Sequence, residues 1–431
     1  MFYNDKSLTL GCQKNSDKFI SLQSIIIIIM NIILPILIIL VCAKISGAIF
    51  ARMRQPAIIG EMMAGVVLGP SVLNLISPEM NGIDVLAELG IFFLLLLAGM
   101  HINLASFREY SRPAIFIAIM GNNFAIAAGI IVGLIFGLNL MDIFFIAIVF
   151  SLTALPVGVQ ILMNLGKLES EIGKIIITSA VIDDILCMFF FAMVLSIANG
   201  NPETLNVWSF SILIAKILLF LILIYLLNKF LAMNNGLPVH HIKILIRKLT
   251  KESQFFVILL FGIIVGFMGR LLEITFIIGI FYAGTIIKKS TVGTEVFSTV
   301  NNVVSSITSS FFSPILFAYL GLLLNLSLLF DHADPFSDRN IHQGIFLLTA
   351  IVFAMVGKGV GAFTGGVLSN MSLKDSVAVG IGLNARGLMG LIISGIGLKY
   401  GLIDMNVYAM LITMCIITTF ITPFGLKRVL N

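Results

Sequence analysis

Thirteen apolar stretches, each near the length that crosses a bilayer, leave this chain almost nothing from which to build a water-facing surface. They run roughly over 25–43, 56–76, 84–101, 113–138, 141–164, 171–198, 207–231, 253–270, 273–288, 298–330, 342–369, 375–399 and 404–426. Of 431 residues, 59% are hydrophobic and 11% charged, with a mean hydropathy of +1.11. A soluble domain carries about 25% charge. In hydrocarbon every backbone N–H and C=O must be bonded internally, so only helices or a closed barrel can span. The stretches are uniformly apolar rather than alternating, which excludes a barrel. The expectation is an all-α polytopic membrane protein of about 13 transmembrane helices. A polar tail, 1–24, precedes the first stretch, which lacks a small-residue cleavage site and reads as an uncleaved span.

Loop charge orders these spans. The loops after odd-numbered spans, with the C-terminus, hold seventeen Lys and Arg residues, among them Lys44, Arg52, Arg108, Arg112, Lys288 and Lys289. The loops after even-numbered spans hold Arg270, Arg339 and Lys399, and the segment Asp331 to Asp338 is acidic. The positive-inside rule then places the N-terminus outside and the C-terminus in the cytoplasm, in a cell inner membrane. The net charge of +5 does not imply nucleic acid, because the basic residues sit in short loops facing lipid headgroups. The run from Lys229 to Lys251 reads as the longest cytoplasmic loop, with lipid or partner binding as the alternative. Cys12, Cys42, Cys187 and Cys415 are scattered without metal or disulfide spacing, so packing is their expected role.

The chain also repeats itself. Span two contains Ile58-Ile59-Gly60 then Ala64-Gly65, and span nine contains Ile277-Ile278-Gly279 then Ala283-Gly284, both IIGxxxAG. Span three ends Gly99 to Leu104 and span ten ends Gly321 to Leu326, both GxxxNL. Each pair is about 220 residues and seven spans apart. Seven is odd, so the second copy must be inverted. Two inverted six-helix repeats follow, 25–198 and 253–431, joined by a linker helix and basic loop over 199–252. Secondary transporters are built this way, with sites near the midplane at broken helices.

The chemistry concentrates in IIITSAVIDDILCM, 175–188, where Asp183 and Asp184 sit side by side in an apolar span. One ionised group at the bilayer centre costs about 2.5–3.5 kcal/mol on an insertion scale. Counted at about 1.5 Å per residue, these acids, Arg386 and Lys358 share one central layer and sum to zero charge. Adjacent helical residues point about 100° apart, so one acid can meet a buried Lys while the other faces a water-filled cavity. Such a carboxylate binds a proton or a hard monovalent cation in competition. The alternative is a buried ion-pair cluster that merely fixes packing. In span five, Pro156 should open the helix around Thr153, Ala154 and Leu155. In span twelve, Asn384 among Gly382 and Gly387 suggests a second opening beside Arg386. Freed carbonyls there could coordinate a cation. Glu61 and Glu88 lie near span ends and read as snorkelling or capping groups, with ion binding as the alternative. Gly357, Gly359, Gly361, Gly365 and Gly366 follow no strand, so they read as helix-packing positions and not a nucleotide loop.

These residues resemble the cation:proton antiporter superfamily, in the branch of bacterial sodium/proton antiporters, Kef-type potassium efflux systems and plant cation/proton exchangers. The likeness is carried by RQPAIIGEMMAGVVLGPSVL (54–73), LAELGIFFLLLLAGMHINL (86–104), SLTALPVGVQIL (151–162), FFSPILFAYLGLLLNL (311–326) and LNARGLMGLIISGIGL (383–398), with the double aspartate. It implies discontinuous crossing helices, a moving core (113–198 and 342–426) and a dimerising scaffold (25–101 and 253–330). It implies that Asp184 carries the ion and proton, with Thr153 beside it, and that Asp183 pairs with Lys358. The core would slide against the scaffold in an elevator-like alternation, in a homodimer. Many relatives have a polar residue at Leu155 or Pro156, and exchangers with a TAFP-like pattern often have Asn where Asp183 stands; these two signals point to different ions. The expectation is a transporter and not an enzyme, exchanging sodium for protons, without a cofactor or a fused nucleotide-binding domain. A potassium/proton exchanger, or a cation channel on the same scaffold, is the alternative.

Overall fold

The computed structural model describes residues 32–78, 82–101, 104–198, 207–232, 246, 249–272, 276–326 and 338–430. The expected polar tail, most of the basic loop and the acidic segment 331–337 lie outside the described residues, as does Asn103 of the first GxxxNL. Helices run α1 Leu34–Arg52, α2 Ala57–Leu68, α3 Ile83–His101, α4 Leu104–Ile135, α5 Leu140–Ser151, α6 Leu155–Asn164, α7 Glu171–Ala198, α8 Val207–Ala232 and α9 Lys251–Leu271. They continue as α10 Phe276–Ile286, α11 Lys289–Val292, α12 Thr294–Ile307, a π-helical turn Thr308–Phe312, α13 Ser313–Leu322, α14 Asp338–Leu368, α15 Leu373–Gly382, α16 Gly387–Lys399 and α17 Met405–Leu430. Eight helical runs among the described residues are long and apolar enough to cross a membrane, counting Leu140–Asn164 through its break. Ala57–Leu68 and Phe276–Ile286 are apolar but shorter.

Several boundaries differ from those expected. The first helix continues to Arg52, and α4 begins at Leu104 and runs through Arg112 and Pro113. A long cationic side chain near a membrane face can reach water without ending its helix, so a charge marks depth better than it marks a terminus. Conversely, α2 stops at Leu68, where 56–76 had read as one span. Gly69-Pro70 ends it, and the chain folds back with Leu73, Leu75 and Ile76 N–H groups on the Val67 and Leu68 carbonyls. The Ser71 hydroxyl then donates to Leu324 O at 2.6 Å, tying this turn to the end of α13.

The repeat is visible in the packing. At Gly65 the backbone of Ala318 in α13 comes so close that no side chain would fit, and Gly321 meets Met62 and Gly65 of α2 in return. At Gly284 of α10 the same is true of Leu96 and Gly99 in α3, and Gly99 meets Phe281 and Gly284. Gly60 lies on the Ser46-Gly47 backbone of α1, as Gly279 lies on Val265-Gly266 of α9. The second glycine of each IIGxxxAG thus packs against the GxxxNL glycine of the other repeat, and the two crossings correspond.

The helices form two packed groups. α1, α2, α3, α9, α10, α12 and α13 lie together, as do α4, α5, α6, α7, α14, α15, α16 and α17. The groups meet mainly where α3 and α2 touch α6, and where α2 touches α17. In the second group α14 lies along α4 through Gly357, Gly361 and Gly365, which approach Ala125, Gly121 and Ile117. Those glycines permit close helix packing. Between these two helices and α7 the charged side chains are enclosed.

Candidate functional site

Both breaks fall inside the second group. Helix α5 ends at Ser151, Leu152 to Ala154 are non-helical, and α6 begins at Leu155 with Pro156 in its first turn. The break therefore precedes Leu155 and Pro156 rather than containing them, because proline constrains the residues before it and suits a helix start. Helix α15 ends at Gly382, and α16 restarts at Gly387 after Leu383, Asn384, Ala385 and Arg386. Gly387 has φ +47 and lies against Ala154, so a side chain there would meet both backbone strain and the crossing segment. The two segments bond directly: Ala154 N–H donates to Ala385 O at 2.6 Å, and the Thr153 hydroxyl donates to Leu383 O at 3.0 Å.

Asp183 and Asp184 project from α7 in different directions. Asp183 is fully buried, and both its oxygens lie 2.9 Å from the Lys358 Nζ of α14. The same ammonium donates to Asn122 Oδ1 of α4 at 2.7 Å and to Ser151 O at 2.5 Å. Lys358, fully buried, is thereby supplied with four acceptor atoms, which is the condition for burying an ion pair without a large net penalty. Asp184 instead lines a cavity of about 700 Å³. Ala154, Leu155 and Pro156 form its wall nearby, Phe92 and Phe93 its apolar flank, and Asp84 and Glu88 of the first turns of α3 also border it. A carboxylate lining a space this large has room beside it for a hydrated or partly dehydrated ion.

Two expectations are corrected here. Of the four charges expected to balance in one layer, only Asp183 and Lys358 form an ion pair among the described residues. Arg386, fully buried, donates to carbonyls: Nη1 to Asn384 O at 3.1 Å, and Nη2 to Phe150 O at 2.9 Å and Ala354 O at 2.7 Å. A guanidinium with a planar fork of donors suits the negative end of a helix, here the end of α5. At the breaks the Phe150 and Asn384 carbonyls are thus taken up by Arg386, that of Ser151 by Lys358 and that of Leu383 by Thr153. Asn384 likewise turns its Nδ2 to Gly380 O at 2.8 Å. Glu61 does not snorkel: it is only 6% exposed. Glu88, by contrast, is exposed at the cavity.

Sequence reasoning passed over Asn122 and Thr419. Asn122 is a polar side chain within an otherwise apolar span, and that alone was a usable signal. Thr419 Oγ1 accepts from Arg386 N–H and Gly387 N–H at 3.1 Å each, capping the start of α16. Nothing in its local sequence marks it, since a hydroxyl in a helix usually bonds its own carbonyls.

Comparison with known proteins supplies the wider context. Residues 36–431 match the family model described as sodium/hydrogen exchanger, transmembrane. A Na+/H+ antiporter of Enterococcus hirae is 28% identical over 90% of this chain and 95% of its own length. The Na+/H+-K+ antiporter GerN of Bacillus cereus is 27% identical over 91% and 94%. Cation/H+ antiporter 17 of Arabidopsis thaliana is 26% identical over 91% of this chain but 47% of its own, much longer, sequence. A solved structure of the sodium proton antiporter MjNhaP1 from Methanocaldococcus jannaschii shares the fold, with a TM-score of 0.64 at 14% identity over 92% of this chain and 96% of that one. With a family match across all but the first thirty-five residues, the chain belongs to the transmembrane sodium/hydrogen exchanger family.

Proposed function

We propose that this protein exchanges a monovalent cation, sodium in the first place, for protons across the cell membrane. The observation that carries this is the unequal environment of two adjacent acids. Asp183 is neutralised by Lys358, whereas Asp184 borders the cavity with no ion pair among the described residues. A single accessible carboxylate holds either a proton or a cation, and that competition couples the two flows. The cation would sit at Asp184. Thr153 would have to give up its bond to Leu383 O before its hydroxyl could serve as a ligand. The named activities of the similar proteins, Na+/H+ and Na+/H+-K+ exchange, support antiport over a channel.

The broken helices, Lys358 and Asp184 would move as the core, with α1–α3, α9, α10, α12 and α13 as scaffold. The thin contact between the two groups supports an elevator-like slide. The cavity approaches Asp184 from the Asp84 end of α3, which the loop charges assign to the outer face. A homodimer in the inner membrane, N-terminus outside and C-terminus cytoplasmic, completes the proposal.

The test is exchange in proteoliposomes under an imposed pH gradient, challenged in turn with lithium, sodium, potassium and rubidium. Wild-type protein should dissipate the gradient on sodium addition, and Asp184→Asn should abolish the response. Retention of wild-type exchange in that variant would sink the assignment, and current without proton movement would favour a channel.

A further inference from the structure

Outside the aspartate site, two further carboxylates are buried among the described residues, Asp142 in the first turn of α5 and Glu61 within α2. Glu61 of α2 is 6% exposed, and its Oε2 has no hydrogen-bond partner among the described residues. It fits there because α1 presents Gly47, where a side chain would press on the Glu61 Cγ and Oε1. Lys44 lies one turn before Gly47 on the same face of α1. Its charge acts on Glu61, yet it forms no ion pair with it; its Nζ donates instead to Ser309 O at 2.7 Å. Ser309 belongs to the π-helical turn Thr308–Phe312 between α12 and α13.

This arrangement is informative because an ionised, unpartnered carboxylate is costly to bury. With the ammonium committed elsewhere, the geometry fits a protonated Glu61. Loss of that proton would make the carboxylate the better partner for Lys44 than a neutral carbonyl, since charge-assisted bonds are stronger. Single π-helical turns inside helices are frequent at functional sites. This one connects to the cavity: Phe312 stacks on Phe93 at 4.7 Å, and Phe93, Leu316 and Tyr319 line the wall.

The repeat supplies an internal control. At the spacing that pairs Gly60 with Gly279 and Gly47 with Gly266, Glu61 corresponds to Ile280 and Lys44 to Ile263. The second repeat makes the same glycine crossing with two isoleucines. The crossing itself therefore does not require the acid or the base.

We propose that Glu61 is a second proton-binding site, separate from the aspartate pair, whose charge state decides whether Lys44 holds the π-helical turn at Ser309 or turns to the carboxylate. Its proton passes to water and takes no part in coupling; it sets how readily the cavity wall rearranges as pH changes. Of the elements packed on α2, α1 brings Cys42, Lys44 and Arg52, α13 brings Tyr319, α17 brings Tyr408, Cys415, Lys427 and Arg428, and α6 brings no ionisable side chain. Among these, Lys44 is the group that acts on Glu61.

Infrared difference spectra of the full chain bearing Asp184→Asn, titrated from acid to alkaline pH, test the site without transport. A buried carboxyl C=O band should vanish with rising pH, be absent when Glu61→Gln is added, and change its midpoint in Lys44→Met. A spectrum with no Glu61-dependent titration, or a midpoint indifferent to Lys44→Met, overturns the proposal. The transport arm rests on the exchange reading: Glu61→Gln, Lys44→Met and the double variant should share one pH profile of exchange, shallower by one proton than wild type. Three profiles matching wild type would also overturn it. If wild-type protein exchanges nothing, the exchange reading fails alone and the infrared result still decides Glu61.

Discussion

At the scale of single residues, the two aspartates show how neighbours on one helix acquire different chemistry. The 100° between them is set by helix geometry, but only the positions of α4, α5 and α14 give Asp183 its ammonium. Removing one member of a buried pair strands the other charge, at a cost of about 3–5 kcal/mol. Lys358→Met should therefore lower thermal stability in detergent strongly. Adding Asp183→Asn should recover most of the loss; a double variant no more stable than the single would argue that Lys358 acts chiefly through Ser151 O and Asn122. Asn122→Ala, which withdraws one acceptor from that ammonium, should cost about 1.5–3 kcal/mol by the same measurement.

At the scale of elements, the crossings of α2 with α13 and of α3 with α10 depend on glycines that place backbone on backbone. Gly65→Val and Gly284→Val occupy corresponding places in the two repeats. Each should destabilise by 1–3 kcal/mol or more, about what overpacking costs, and by similar amounts. Markedly unequal losses in denaturation would weaken the equivalence of the two crossings. Gly158 of α6 and Gly395 of α16 have nothing near their missing side chains. Alanine there should be neutral or stabilise by up to about 1 kcal/mol, the helix preference of alanine over glycine. The broken helices follow the same logic of locally satisfied backbone: Arg386 bonds the carbonyls at one break and Thr419 the N–H groups at the other.

At the scale of the whole molecule, two groups of helices meet over a narrow contact, and His101 at the end of α3 reaches Glu169 between α6 and α7, Nδ1 to Oε1 at 2.8 Å. That contact joins the proposed scaffold to the proposed core. In a protein lacking Cys12, Cys42, Cys187 and Cys415, the pair His101→Cys and Glu169→Cys should cross-link under oxidation and stop exchange, with recovery on reduction. Undiminished exchange in fully cross-linked protein would argue against a slide of one group past the other. As a solvent-exposed polar contact it is worth little, so either single substitution should leave stability nearly unchanged.

The sequence by itself determined the class of fold, because so many uncharged helix-length stretches admit no other solution in water or lipid. It also carries the repeat, whose motif glycines lie at the helix crossings, and helical rise turns residue number into an expected depth for the charged layer. Periodicity and depth say how far along an axis a group lies and nothing about which neighbour it faces. Hence the sequence placed Arg386 among charges that should cancel, where the tertiary structure bonds it to carbonyls. It placed Glu61 at a snorkelling depth, where packing against Gly47 encloses it. Helix geometry alone left open which aspartate meets the lysine; the family resemblance named Asp183, and α14 brings Lys358 to it, a contact between residues 175 positions apart that only helix packing decides.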